Sequence, residues 1–419
     1  MVQDVYELIS EYAKMISSYE TADVKGPKII LKSGSRCYMT VTGADFSDLK
    51  LADIQDVTAG DPKRMPAAAA LMASDRISAM ILATPPYASI CLESRHELTA
   101  SLDDMAQIAG RKIEIIEPEA KRIARALSKA SAVMIENACL ISSGRNLFEA
   151  FNCMEIVEKS AEITLKAQVV GGVKPISGFH AANMRRVYLN KYSRQETEYR
   201  KDFETGNAGA GGAAMLDIIQ KAPEETAADR RETELREKLV ELGNRLVREG
   251  LVQGTWGNLS VRLDDTYMLV TPSGIDYERL GPDDMVKVRI KDLKAAGGGK
   301  PTSEKSLHAA IYRKYKDAGA VVHTHSKNCS IFAAAEMPLQ VEDMGMIAKL
   351  GEIVKVTKYA SAGTNQLARN AVAAMKDAPG CILSHHGMVC CGKDLDDAFD
   401  TAVEIEEAAG MYIDKRWDK

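Results

Sequence analysis

Three features are missing from this sequence, and each absence narrows what the chain can be. Its eight cysteines are scattered and include no Cys-x-x-Cys pair, so free thiols in a reducing cytoplasm are expected. The adjacent Cys390 and Cys391 read as small buried apolar residues. No uninterrupted apolar run approaches the length of a membrane span, and the opening MVQDVYELISEYAK reads as an amphipathic helix, not a signal peptide. Basic charge is not in surplus: the net charge is −5, so nothing favours binding to nucleic acid or an anionic membrane. The expectation is a cytoplasmic protein with neither of those partners.

What is present is an ordinary globular composition, 46% hydrophobic and 27% charged over 419 residues, enough for two or three domains. Histidine is distributed unevenly. There are seven, and His308, His323, His325, His385 and His386 all lie beyond residue 300. Any chemistry is expected in the C-terminal half.

The Gly/Ala-rich stretch ETGNAGAGGAA at 204–214 reads as a linker. The expected division is 1–205, a linker at 206–224, and 225–419. The halves on either side resemble each other. CYMTVTGADFSDLKLADIQDV (37–57) matches TYMLVTPSGIDYERLGPDDMVKV (266–288), AMILATPPYASI (79–90) matches AVVHTHSKNCSI (320–331), and GRNLFEAFNCMEIVEKSA (144–161) matches GKDLDDAFDTAVEIEEAA (392–409). Blocks in the same order imply a tandem duplication of one domain of about 190 residues. Within each copy, helices alternate with short hairpin-like strands, which suggests an α/β or α+β sandwich.

AVVHTHS (320–326) ends a short apolar strand in His-x-His. Residues two apart on a strand share a face, so His323 and His325 can aim at one point. Glu304 precedes them at a helix start, with Ser303 as its expected N-cap. His386 follows in SHHGM at another strand-to-turn junction. Three imidazoles at strand ends plus a carboxylate make a catalytic zinc set, with three protein ligands and an open position.

These motifs carry a resemblance. QGTWGNLSVR (253–262), VTPSGIDYERL (270–280), KPTSEKSLHAAIY (300–312), AVVHTHS (320–326) and LSHHGMVCCG (383–392) resemble the class II aldolase/adducin family, whose members include L-fuculose-1-phosphate aldolase and L-ribulose-5-phosphate 4-epimerase. The resemblance implies two tandem αβα sandwich domains, each with a central, mostly antiparallel sheet flanked by helices. It implies that His323, His325 and His386 hold Zn2+ or another divalent transition metal, with His385 outside the set. Glu304 is implied as the carboxylate that approaches the metal and serves as acid or base, and His308 as its hydrogen-bonding support. Gly257, Asn258, Ser273, Gly274, Thr302 and Ser303 match a phosphate pocket, where hydroxyls, an amide and helix N-terminal N–H groups suit a dianion. The implied function is a zinc-dependent lyase cleaving a phosphorylated ketose through a metal-stabilised ene-diolate. The alternatives are a pentulose-5-phosphate 4-epimerase, a related dehydratase or decarboxylase, or a non-catalytic scaffold as in adducin. The retained His/Glu set argues against the scaffold.

The sequence also departs from the family. The loop after His-x-His, EMPLQVEDMGMIAKLGE, lacks the family's tyrosine proton donor and offers only Glu342 and Asp343. The first copy has Leu82, Thr84 and Ala138 where the second has His323, His325 and His386, and KRMPA (63–67) faces KPTSE. It retains a tail at 171–203 that the second lacks. Family members form four-fold rings, so the expected assembly is a homo-oligomer in which two chains make a ring of four units, with Tyr188 or Tyr192 of that tail as a further candidate proton donor.

Overall fold

The structure, a computed structural model, describes residues 2–17, 26–192, 227–252 and 256–417. The expected linker at 206–224 lies outside these, as do residues 253–255 of the QGTWGN motif. The chain forms two compact units, one of Met1–Gln168 and Gly172–Arg186, the other of Val169–Gly171 and Val187–Lys419.

In the second unit, short runs rich in β-branched residues make a six-stranded sheet. Its order is Val286–Arg289, Tyr267–Val270, Asn258–Arg262, Ala320–Thr324, Gly387–Gly392, Gly380–Leu383, and every neighbouring pair is antiparallel. Val321 packs among Leu307, Ile311, Leu367 and Ala371, so its face of the sheet lies under the helices Lys305–Lys314 and Asn365–Met375. His323, two residues on, shares that face. The closing helix Leu395–Trp417 and the helix Lys327–Ala335 pack against the sheet from the opposite side. Burying each aliphatic side chain of this core stabilises the fold by about 1.5–3 kcal/mol. The apolar rows therefore fix the register, and the histidines ride on them.

The first unit has the same layers. Its seven strands run in the order Ile54–Asp56, Arg36–Thr40, Lys28–Ser33, Ala79–Ala83, Leu140–Gly144, Ala132–Ile135, Ile115–Ile116. All pairs are antiparallel except the last, which is parallel. The helices Pro66–Met72 and Ala120–Leu127 cover one face, and Leu147–Lys166 packs against the central strands.

The duplication extends to register. Lys28, Leu82 and Ile141 form one row across the first sheet, and Asn258, His323 and Val389 form the matching row in the second. A capping device is duplicated too. Glu158 of one closing helix accepts from the backbone N–H groups of Tyr87 and Ala88, both at 2.8 Å. Glu406 of the other accepts from Asn328 at 2.7 Å and Cys329 at 2.9 Å. Each carboxylate satisfies the orphan donors of a helix that follows a central strand.

One local expectation is corrected. Ser303 is not the N-cap of the helix at 305. The cap position is Glu304, at φ −98°, and it is the Thr302 hydroxyl that accepts from the Glu304 N–H at 3.2 Å. The helix begins one residue later because Thr302 is drawn into a ladder with Thr271, described below. Cys390 is buried and Cys391 half-buried, and all eight cysteines are free thiols.

Two glycines set how closely the strand end approaches its neighbours. A Cβ on Gly387 would collide with the Thr324 carbonyl, and one on Gly257 would sit 2.8 Å from the His323 carbonyl oxygen. Gly387→Ala is expected to lower the unfolding free energy by about 1–3 kcal/mol, as overpacking does. Urea denaturation checks this, and an unshifted midpoint would show that the strand end is not so tightly held.

Candidate metal centre

Three elements bring four side chains to one point. The central strand Ala320–Thr324 carries His323 and runs on into His325. The helix Lys305–Lys314 is entered through Glu304. The turn between Gly380–Leu383 and Gly387–Gly392 carries His386. One ligand atom from each of Glu304, His323, His325 and His386 lies within 4.8 Å of all the others, and all four residues are buried. Among the described residues this is the group placed to hold a metal ion, and it belongs to the second unit.

The distances are short. Glu304 Oε2 is 2.9 Å from His323 Nε2 and Glu304 Oε1 is 3.2 Å from His386 Nε2. His323 Nε2 is 3.1 Å from His325 Nε2, and the His323 and His386 rings stack with centroids 4.9 Å apart. Burial alone would raise the Glu304 carboxyl, but the His323 and His386 imidazoles outweigh it and hold the group well below the usual carboxylate range.

The donor set fits a cation. His323 Nδ1 donates to the Met388 carbonyl at 2.7 Å, which leaves the Nε2 lone pair facing the carboxylate and the neighbouring imidazole. A backbone carbonyl fixing the tautomer of a metal-ligating histidine is a common arrangement. Lone pairs at these separations repel unless a cation or protons lie between them. Imidazole nitrogens with one carboxylate suit zinc and its transition-metal neighbours better than calcium or magnesium.

His385 stands apart. It adopts φ +59°, and its ring packs edge-on against Tyr359, with centroids 5.3 Å apart, and faces Glu336 at 3.6 Å. The left-handed conformation at His385 is part of the turn that presents His386.

The polar loops expected around a phosphate are brought together. Ser273 N–H donates to the Lys300 carbonyl and Thr302 N–H to the Thr271 carbonyl, both at 3.0 Å, and Pro272 bridges to Pro301. This ladder sets Ser273 and Gly274 beside Thr302 and Ser303, next to Glu304. Ser303 and Gly274 are exposed. Asn258 also reaches Glu304 from the neighbouring strand. Its Nδ2 donates to Glu304 Oε2 at 3.1 Å and its Oδ1 faces His308 Nε2 at 2.5 Å, so both ends of its amide are engaged inside the protein.

Among the candidate proton donors, Glu342, Asp343 and Tyr188 have described side chains. Arg416 at 2.6 Å and Lys415 at 2.8 Å hold the Glu342 carboxylate and lower it to about 2. Asp343 caps the helix Met344–Leu350 through the Gly345 and Met346 N–H groups. Tyr188 is buried in the π-helical turn Tyr188–Tyr192, and the Tyr192 side chain lies outside the described residues. The sequence reading missed Ser260 and Tyr312, both fully buried. It also missed Trp256, whose ring centroid lies 5.3 Å from that of His325. The polar alternation Asn258-x-Ser260 within a strand was the available signal.

Comparison with known proteins finds one family in both halves of the chain. Residues 17–165 and 237–413 both match the family model described as Class II Aldolase and Adducin N-terminal domain. The chain is 38% identical over 178 residues to 5-methylthioribulose-1-phosphate/5-deoxyribulose-1-phosphate aldolase of Rhodospirillum rubrum, covering 42% of this chain and 80% of that one. It is 31% identical over 190 residues to an L-ribulose-5-phosphate 4-epimerase of Salmonella paratyphi C, covering 42% and 83%. Among solved structures it is similar to an L-fuculose 1-phosphate aldolase at 33% identity and a TM-score of 0.42, covering 44% and 88%.

Titration of the chelator-stripped chain with Zn2+ is expected to give one tight site, absent from His323→Ala. Its affinity is expected to fall as the pH is lowered, because protons compete with the metal for its ligand atoms. Undiminished binding in His323→Ala would remove that residue from the set.

Proposed function

This chain belongs to the class II aldolase and adducin family, and from that premise we propose that its second unit, residues 225–419, is a zinc-dependent lyase that cleaves a phosphorylated ketose by retro-aldol chemistry. In this reading residues 1–205 form a unit of the same fold without a metal set, and residues 206–224 join the two. The observation that carries the reading is the convergence of buried Glu304 with His323, His325 and His386. The proteins similar to this chain include an aldolase and an epimerase named for ketose phosphates.

His323, His325 and His386 would hold the metal, and Glu304 stands against the same point. The metal, when bound, supplies Lewis acidity to a substrate carbonyl and its adjacent hydroxyl. Glu304, which stands against the same point as the three imidazoles, is the base. It takes the proton from the hydroxyl on the carbon beyond the scissile bond, and that oxygen becomes the aldehyde carbonyl. The C–C bond breaks, and its electron pair passes to the enediolate of the other fragment. A proton returned to the enediolate carbon completes the cleavage. The hydroxyls of Ser273 and Ser303 and the N–H of Gly274 would hold the substrate phosphate, fixing which carbon faces Glu304. The Thr302 hydroxyl accepts from the Glu304 N–H and keeps its own O–H to donate to the phosphate.

A panel of ketose 1-phosphates tests the activity. Release of dihydroxyacetone phosphate is expected from at least one, abolished by a chelator and restored by Zn2+. Inversion of a pentulose 5-phosphate without net cleavage would instead favour the epimerase reading. Glu304→Gln is expected to lower turnover by roughly two to four orders of magnitude, the usual share of a general acid–base group. Near-normal turnover would take Glu304 out of the proton transfer. Ser273→Ala with Ser303→Ala is expected to raise KM for phosphorylated substrate roughly tenfold or more, as loss of hydrogen bonds to a charged group does, with little effect on an unphosphorylated analogue. Equal effects on both substrates would refute the phosphate assignment.

A further inference from the structure

We infer that Tyr312, Ser260, His308 and Asn258 form a hydrogen-bonded chain of single polarity ending on Glu304, and that Ser260 and His308 are positioning residues for its carboxylate. The inference rests on the reading of Glu304 as the base.

The chain is continuous and dry. The Tyr312 hydroxyl is 2.8 Å from Ser260 Oγ, and Ser260 Oγ is 2.7 Å from His308 Nδ1. His308 Nε2 is 2.5 Å from Asn258 Oδ1, and Asn258 Nδ2 is 3.1 Å from Glu304 Oε2. Ser260, His308 and Tyr312 are 0% exposed, Glu304 4% and Asn258 7%, so no solvent competes for these groups.

Its polarity follows link by link from what each group can offer. Asn258 Nδ2 donates to Glu304 Oε2, which turns its carbonyl to His308. An amide carbonyl only accepts, so His308 Nε2 carries a hydrogen. Burial pushes the imidazole down to about 3, so the ring is neutral and Nδ1 accepts. Ser260 therefore donates to Nδ1, and its oxygen accepts from Tyr312. Every donor points toward Glu304. Hydrogen bonds aligned in this way polarise one another.

The sequence builds the chain by matching two repeats. Glu304, His308 and Tyr312 recur every four residues on one helix, a rise of about 6 Å. Asn258 and Ser260 recur every two on the strand, about 6.6 Å. Each strand residue thus bridges two helical ones. Arg262, two further along the strand, donates to the Tyr312 carbonyl at 2.9 Å and lies over its ring, anchoring the far end.

The first unit serves as an internal control. By the matching row of the two sheets, Lys28 holds the place of Asn258, and Ile30 holds that of Ser260 and packs in the apolar core. The same layered fold forms without the chain where the imidazole set is also missing. The chain therefore goes with Glu304, not with the fold.

The test uses the full-length chain labelled with 15N-histidine. Long-range 1H–15N spectra of the chelator-stripped protein at pH 7 should show His308, identified by its loss in His308→Leu, as the neutral Nε2–H tautomer. Ser260→Ala should mix its tautomers. In the zinc-loaded protein the same variant should lower kcat roughly tenfold with KM unchanged and one zinc still bound, and Tyr312→Phe should have a smaller effect in the same direction. An Nδ1–H or doubly protonated His308 in the wild type would overturn the inference even if Ser260→Ala failed to fold. So would an unchanged kcat in Ser260→Ala. A correct tautomer with no lyase activity on any substrate would instead refute the lyase reading alone.

Discussion

The second unit is organised around one electrostatic constraint, a buried carboxylate whose oxygens face imidazole nitrogens at about hydrogen-bond distance. Glu304, His323, His325 and His386 crowd their acceptor atoms within 4.8 Å of one another. Burying such a set is unfavourable unless positive charge lies among them. Much of the surrounding structure meets that requirement. The Met388 carbonyl turns the His323 lone pair inward, the Asn258 amide holds Glu304 Oε2, and the left-handed residue His385 shapes the turn that presents His386. A left-handed non-glycine residue costs about 1–2 kcal/mol, and here it falls next to a residue of the buried set.

The first unit shows which of these features the fold itself needs. It has the same core strand order, and Glu158 repeats the helix cap made by Glu406. Yet Leu82 sits in the register of His323, while Thr84 and Ala138 take the corresponding places of His325 and His386. Sheet, helices and caps survive the loss of the imidazoles, so hydrophobic rows and capped helices suffice for the architecture. The polar set in the second unit therefore answers to something other than stability.

Much of this was legible in the sequence, for physical reasons. Apolar runs such as AVV before His323 and the periodic LDDAFDTAVEIEEAAGMYI mark a buried strand and an amphipathic helix, and both are present. The repeated blocks revealed the two layered units. Strand periodicity put His323 and His325 on one face, because spacing alone fixes that geometry. The exact start of the helix at 305 was not legible, since Thr302 is claimed by a backbone ladder with Thr271 that joins residues distant in sequence. The engagement of Asn258 was hidden for the same reason: its partners Glu304 and His308 lie 46 and 50 residues away. Ser260 and Tyr312 read as ordinary strand and helix residues until helix and strand are seen side by side.

X-ray absorption at the metal edge of the purified full-length protein tests the central claim most directly, that the buried acceptor set of the second unit is a cation site. One metal per chain is predicted, with a first shell of nitrogen and oxygen at about 2.0–2.2 Å, outer-shell scattering from several imidazoles, and no sulfur. A sulfur shell at about 2.3 Å, or a protein that takes up no divalent transition metal at all, would contradict it.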